Sequence, residues 1–121
     1  MRTFLIVDDS AVIRKVARRI IEGLGFRVAE AEDGRQAVES CQAAMPDAIL
    51  LDWNMPHMDG YDVLRALRRL PEGDRPKVLF CTIENDVASI ARALHAGADE
   101  YIMKPFDKDI MTAKLQAVGL A

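Results

Sequence analysis

The sequence predicts an α/β fold of the doubly wound type, in which a parallel sheet carries helices on both faces. Five short apolar segments alternate with five segments of helical periodicity along the 121 residues, and such alternation is typical of strand–helix units in a parallel sheet. Three of the apolar segments are nearly continuous, as expected of central strands buried on both faces. The length fits one domain with a substantial core.

The five apolar segments are the predicted strands. Thr3–Val7, Ala48–Leu51 and Val78–Cys81 are nearly uniformly apolar, which predicts central positions in the sheet. Phe26–Ala29 and Glu100–Met103 include charged residues, which predicts less buried positions.

The first predicted helix covers residues 10–24, between the first two strands. Ser10 is suited to the N-cap, and Gly25 follows the last apolar position as a C-terminal glycine would. Apolar residues recur every four positions and predict the buried stripe of this helix, at Val12, Val16, Ile20 and Leu24.

The remaining helical segments are bounded by capping or breaking residues. Pro46, Pro71 and Gly97 follow three of them, and Asp33, Asp59 and Asp86 are interpreted as helix-start residues. The predicted helices are Asp33–Ala44, Gly60–Leu70, Asp86–Ala96 and Phe106–Val118.

Composition excludes several classes of protein. A net charge of -3 and a pI near 5.3 give no general attraction to nucleic acid or to anionic membranes. Cys41 and Cys81 are too few for a disulfide framework and lie in apolar segments, which predicts buried, reduced thiols. No segment is apolar enough to span a membrane, and no signal peptide is recognisable. We therefore expect a cytoplasmic protein that neither binds DNA nor inserts into a membrane.

Polar residues stand where four of the predicted strands end. Asp8 and Asp9 follow the first strand, Asp52 the third, Thr82 the fourth and Lys104 the fifth. Ligands of doubly wound folds bind at the carboxyl ends of the strands. One aspartate at such a place is usually a turn or cap residue, but placement on four strand ends favours a shared site.

Adjacent like charges need compensation, because two carboxylates about 5 Å apart repel by roughly 3 kcal/mol at an effective dielectric constant of ~20. A cation would supply it, and ligands that are all oxygen favour a hard cation such as Mg²⁺. Lys104 adds a positive charge suited to phosphate and Thr82 a hydroxyl donor. Together these groups suit phosphoryl transfer onto an aspartate.

Four motifs carry a resemblance to a known family: VDDS at Asp8–Asp9, DWNMPHMDG from Asp52 to Gly60, Thr82, and KPF from Lys104. In this order the chain resembles, over its full length, the receiver domain of two-component response regulators. Among them it is most similar to the single-domain, CheY-like chemotaxis regulators, in the branch found in α-proteobacteria.

The resemblance implies a flavodoxin-like, five-stranded parallel sheet in the order 2-1-3-4-5 with five helices. It also implies that Asp52 accepts a phosphoryl group from a histidine kinase in the presence of Mg²⁺. Asp9 and Asp52 would bind the metal through carboxylates, with Asp8 near it and Asn54 contributing its backbone carbonyl. Lys104 would contact the phosphoryl oxygens.

The resemblance further assigns a conformational switch. Thr82 would move toward the phosphoryl group, and Tyr101 would exchange between exposed and buried positions on the surface formed by the fourth helix, fifth strand and fifth helix. The bond before Pro105 would be cis. Ile83 departs from the small residue usual in the family and is expected to slow phosphorylation or dephosphorylation, and Glu84 occupies a position that tunes phosphate loss.

The partners implied are a CheA-like histidine kinase or its phosphotransfer domain and a downstream protein, with the flagellar motor switch as one candidate. We expect residues 1–121 to form one receiver domain with no output domain. A basic set on the first helix is interpreted as a solvated face, with kinase docking and cyclic-dinucleotide binding as alternatives: Arg14, Lys15, Arg18 and Arg19.

Three alternative functions can be distinguished from this one. A phosphorelay shuttle or phosphate sink would lack a motor target. An aspartyl-phosphate phosphatase usually has a second aspartate two residues after the nucleophile, where this chain has Asn54. A flavin-binding protein of this fold needs a hydroxyl-rich phosphate loop after the first strand, and this chain has the acidic DDS there.

Overall fold

The computed structural model describes residues 2–83 and 87–121, which form one parallel sheet in the order β2-β1-β3-β4-β5. This confirms the predicted fold and strand order. β2 and β5, the two strands with charged residues, lie at the edges of the sheet. The strands are β1 (Thr3–Val7), β2 (Arg27–Ala31), β3 (Ala48–Asp52), β4 (Lys77–Thr82) and β5 (Glu100–Met103).

Helices follow the strands in alternation; Ser10, Asp33 and Asp59 begin helices as predicted, whereas the fifth helix begins after Asp107 and not at the predicted Phe106. Ser10, Asp33, Asp59 and Asp107 are N-caps whose side chains accept hydrogen bonds from backbone N–H groups, while Asp86 lies outside the described residues. The helices are α1 (Ala11–Gly23), α2 (Gly34–Ala43), α3 (Gly60–Arg68), α4 (Val87–His95) and α5 (Lys108–Ala117).

The second strand lies further along the chain than predicted, because its register with β1 runs from Thr3↔Arg27 to Val7↔Ala31. Phe26 precedes the strand and packs edge-to-face on Phe4, with ring centroids 5.3 Å apart. Its apolar character therefore belongs to the core and not to the strand. Glu30, which appeared to follow the strand, lies inside it.

The predicted buried stripe of α1 is wrong at its N-terminal half. Val12 and Val16 are 70% and 45% exposed, whereas Ala17 and Ile21 are fully buried. Relative to the predicted orientation, α1 is rotated about its axis so that Ala17 and Ile21 face the core. Two valines are left on the surface.

The sheet separates two cores. One contains Leu5 and Val7 of β1 with apolar residues of α2, α3 and α4, including the free thiol Cys41. The other contains Phe4 and Ile6 with residues of α1 and α5, and the free thiol Cys81. Within residues 2–83 and 87–121, none of the helices combines the length and apolar character needed to cross a membrane. Because all five strands are parallel, their carboxyl ends meet at one edge.

Candidate active site

Three carboxylates converge at the carboxyl edge of the sheet, as the strand ends predict. Asp8 follows β1 and Asp52 is the last residue of β3, and both are 3% exposed. Asp9 is exposed. One carboxylate oxygen from each of the three lies within 4.8 Å of the others.

The two adjacent aspartates lie in different surroundings, which moderates their repulsion: Asp8 is buried beside Lys104 and Asp9 is exposed. The buried carboxylate of Asp8 accepts a hydrogen bond from Ser10 N at 2.9 Å and pairs with Lys104 Nζ at 2.8 Å. Its backbone N–H continues the sheet by donating to Ala31 O. Asp9 remains at the surface, where water screens its charge.

Asp52 is buried and incompletely compensated. Its Oδ1 lies 3.2 Å from Lys104 Nζ and accepts a hydrogen bond from Asn54 N at 3.4 Å. Burial, and secondly the charge of Asp8, raise the pKa of Asp52 to about 6, although Lys104 and the Asn54 bond act in the opposite direction. The carboxylate is therefore accessible to protonation near neutral pH and would be stabilised in its ionised form by an added cation.

Lys104 is the cation that the chain itself supplies. Its backbone N–H donates to Thr82 O at 2.9 Å, which ties the loop after β5 to the end of β4. Burial alone lowers the pKa of Lys104, but Asp8 and Asp52 together outweigh burial, so the pKa is raised and the ammonium is retained. The resemblance implied a cis bond before Pro105, and the Lys104–Pro105 peptide bond is cis.

The donor set fits a hard divalent cation. All three converging groups are carboxylates, which are oxygen donors that Mg²⁺ and Ca²⁺ prefer to sulfur or nitrogen donors. With one lysine among three carboxylates, the ionised cluster keeps an excess of negative charge that a divalent ion would neutralise.

The remaining predicted site residues lie on or shortly after β3, β4 and β5, except for Glu84, which falls outside the described residues. Thr82 is buried at the end of β4, and the side chain of Asn54 is exposed. Ile83 is 64% exposed and directly follows Thr82.

Tyr101 is half-buried on β5 and belongs to a row of aromatic rings. Its ring centroid lies 6.2 Å from that of Phe80, and Phe80 lies 5.2 Å from Trp53, the neighbour of Asp52. Lys114 Nζ of α5 lies 4.0 Å from the Tyr101 centroid and 3.4 Å from Glu100 Oε1. Tyr101 thus lies between Phe80 of β4 and Lys114 of α5.

A cleft of about 430 Å³ opens beside the acidic cluster. Asp9 lines it, together with Glu32 and Asp33 before α2 and Pro56 and His57 before α3. Of the three clustered carboxylates, the cleft is lined by Asp9.

Arg14 belongs to this region although the sequence pattern does not indicate it, because helix periodicity places it on a solvated face. Only 15% of its side chain is exposed, and its guanidinium contacts the backbone of Asp8 and the side chain of Glu30. Position was the available signal, since Arg14 lies one helical turn after the cap that follows the two aspartates.

Comparison with known proteins gives consistent results. Residues 4–116 match the family model described as the response regulator receiver domain. The probable transcriptional regulator ycf27 of Guillardia theta is 39% identical over 94% of this chain, and response regulator MprA of Mycolicibacterium vanbaalenii is 38% identical over the same share. The aligned region covers 44% and 48% of those two proteins, so the chain spans about half the length of these relatives.

Solved structures match over nearly the whole chain. Chemotaxis protein CheY4 of Vibrio cholerae has a TM-score of 0.92 and 32% identity, with 98% of each chain covered. The receiver domain of sensor histidine kinase PA1611 from Pseudomonas aeruginosa, described with a magnesium ion coordinated in its active-site cleft, has a TM-score of 0.86 and 31% identity, again with 98% of each chain covered. This chain therefore belongs to the response regulator receiver domain family of two-component systems and has the CheY-like fold.

Proposed function

We propose that Asp52 accepts a phosphoryl group from a histidine kinase in a Mg²⁺-dependent reaction, and that phosphorylation controls binding of a partner protein. The observation that carries this proposal is the position of Asp52, which is buried at the carboxyl edge of the sheet, shares the Lys104 ammonium with Asp8 and has a carboxylate oxygen within 4.8 Å of one of Asp9. A nucleophilic carboxylate, a lysine and an oxygen-only cation site are the parts that phosphoryl transfer requires.

In the proposed reaction a carboxylate oxygen of Asp52 forms a bond to phosphorus while the bond from phosphorus to the donor imidazole nitrogen breaks. The protein contributes position and charge, as is usual for phosphoryl transfer. Lys104 already contacts Asp52 Oδ1 at 3.2 Å and would donate to a phosphoryl oxygen. The hydroxyl of Thr82, buried at the end of the neighbouring strand, would donate to another.

Mg²⁺ would be held by the carboxylates of Asp9 and Asp52 and by the backbone carbonyl of Asn54, with Asp8 nearby. When bound, the ion would neutralise charge on the transferring group. The convergence of three carboxylates within 4.8 Å supports this assignment. So does the magnesium ion described for the similar PA1611 receiver domain.

Conformational switching would follow from the new charge on Asp52, since phosphorylation adds about two negative charges and three acceptor oxygens. A shift of Thr82 toward those oxygens would free space beside Phe80, into which Tyr101 could turn. The contact between Phe80 and Tyr101 and the exposed ends of α4 and α5 support this route. The surface of α4, β5 and α5 would then change its affinity for a target.

The kinase or its phosphotransfer domain would dock on α1. Val12 and Val16 are exposed there, and Lys15 and Arg19 flank Val16 around a hollow of about 240 Å³. Apolar side chains edged by cations suit an apolar helix face with acidic neighbours. The same cations leave a cyclic dinucleotide as an alternative ligand.

The downstream role we propose is that of a stand-alone regulator in chemotaxis or flagellar motility, of the α-proteobacterial type. The match to CheY4, which covers 98% of that chain as well as of this one, supports the chemotaxis role. One of the relatives is named as a probable transcriptional regulator, so control of transcription is a competing role. A phosphorelay shuttle or phosphate sink is distinguished by a pulldown with and without beryllofluoride, because neither needs a target that prefers the activated form.

Trp53 offers a direct test of the metal and phosphoryl steps, because it is the only tryptophan and adjoins Asp52. We expect its fluorescence to change on addition of Mg²⁺ and again on addition of beryllofluoride, which mimics a phosphoryl group on the aspartate. Asp52→Asn should lose the second change. A second change of equal size in the variant would refute Asp52 as the acceptor.

A further inference from the structure

Arg14 connects the loop after β1, which carries Asp8 and Asp9, to the edge strand β2. Its Nη1 donates to the backbone carbonyl oxygen of Asp8 at 2.7 Å, and its Nε donates to Glu30 Oε1 at 3.0 Å. Glu30 lies on β2, and Arg18 contacts its other carboxylate oxygen. Arg18 also donates to Val28 O at 3.0 Å. The guanidinium of Arg14 is thus fixed at two ends.

The carbonyl that Arg14 binds controls the residue that follows it. A peptide unit is planar, so the direction of the Asp8 carbonyl fixes the position of Asp9 N and Cα. The carboxylate of Asp8 has its own restraints, from Ser10 and Lys104. In the described part of the chain no hydrogen bond or ion pair holds the side chain of Asp9, which is exposed. Its placement depends on its backbone.

We propose that Arg14 is a positioning residue that orients Asp9 for metal binding by holding the Asp8–Asp9 peptide plane. The inference rests on the proposed Mg²⁺ site. Without the Arg14 contact, the peptide would sample other orientations, and Asp9 would lose conformational freedom on binding the ion. Residues that orient metal ligands by hydrogen bonding typically change metal affinity by 10–100-fold when they are removed.

The sign of the effect separates positioning from electrostatics. Arg14 is a cation close to a site for a cation, so its charge alone opposes metal binding. If charge were its whole contribution, Arg14→Ala would strengthen Mg²⁺ binding. Positioning predicts the reverse.

The experiment is a Mg²⁺ titration followed by amide NMR shifts in the wild type, Arg14→Ala, Arg18→Ala and Arg19→Ala. Arg18 is the matched control, because it shares Glu30 with Arg14 but does not touch Asp8; Arg19 is an exposed cation of the same helix. We expect Arg14→Ala to weaken the affinity about tenfold, with the two controls close to the wild type. The melting temperature in EDTA reports any general loss of stability.

Unchanged or tighter binding by Arg14→Ala would overturn the inference, and so would equal weakening by Arg18→Ala. If Arg14→Ala fails to fold, Arg14→Gln takes its place, because glutamine is too short to join Asp8 and Glu30 and carries the same expectation. A wild type that binds no Mg²⁺ would refute the proposed metal site together with this inference. If the wild type binds Mg²⁺ with the same affinity as Arg14→Ala, the positioning role of Arg14 is refuted but the proposed metal site is not.

Discussion

Lys104 Nζ lies 3.2 Å from Asp52 Oδ1 and 2.8 Å from Asp8 Oδ2, so one ammonium bridges the two buried carboxylates. Lys104 does not fully offset the effects of burial and of the Asp8 charge on Asp52, because the pKa of Asp52 is still raised to about 6. The negative charge of ionised Asp52 is therefore unfavourable, and binding of a cation or a proton would relieve it. This relationship governs the stability of the site and its response to pH.

Asp52→Asn should stabilise the metal-free protein at pH 7.5 and have less effect at pH 4. A carboxyl whose pKa is raised by folding contributes stability below its unfolded pKa, near 3.8, and this contribution is lost as the pH rises through about 6. The difference corresponds to roughly 3 kcal/mol of unfolding free energy. Urea unfolding in EDTA across this pH range measures it. A pH-independent effect of the substitution would contradict the assigned pKa shift.

Lys104→Met should destabilise the protein at neutral pH by about 3 kcal/mol in EDTA, because it leaves buried carboxylates without their partner. Mg²⁺ should restore part of that stability, and more than it adds to the wild type, since the variant has the larger excess of negative charge. Thermal unfolding with and without Mg²⁺ checks both points. Lys77→Met, at an exposed position on β4, is the control.

Ile83→Ala should speed phosphorylation, dephosphorylation or both severalfold while changing stability by less than about 0.5 kcal/mol. The side chain is largely exposed and directly follows Thr82, so truncating it removes bulk next to Thr82 without opening a core cavity. Val87→Ala, which also truncates an exposed side chain, is the matched control. Phosphate incorporation and release assays give the two rates. If both rates match the wild type, Ile83 does not restrict the site.

Lys114 and Tyr101 should be energetically coupled by about 1 kcal/mol, the value typical of a cation over an aromatic ring. A double-mutant cycle with Lys114→Met and Tyr101→Ala measures this coupling from unfolding free energies. We expect beryllofluoride to reduce it, because the proposed switch moves Tyr101 away from its contact with Lys114. Coupling that is the same with and without beryllofluoride would contradict movement of Tyr101.

The sheet and the convergence of the three carboxylates can be predicted from the sequence for a shared reason. Continuous apolar runs identify β1, β3 and β4, and parallel pairing then brings Asp8, Asp9 and Asp52 to one edge without detailed knowledge of side-chain packing. Capping chemistry similarly identifies the starts of α1, α2 and α3.

Features that depend on rotation or register are harder to read. Phe26 appeared to begin β2, although its ring packs on Phe4 before the strand starts. Val12 and Val16 fitted an apolar stripe, but α1 buries Ala17 and Ile21. Arg14 appeared solvated because its partners, the Asp8 carbonyl and Glu30, become neighbours only when β1 and β2 pair.

Intact-protein mass spectrometry after incubation with acetyl phosphate and Mg²⁺ decides whether Asp52 is the phosphoacceptor. We expect a gain of one phosphoryl group in the wild type, no gain in EDTA, and no gain in Asp52→Asn. Absence of the gain in the wild type, or an equal gain in the variant, would contradict the assignment of Asp52 as the phosphoacceptor.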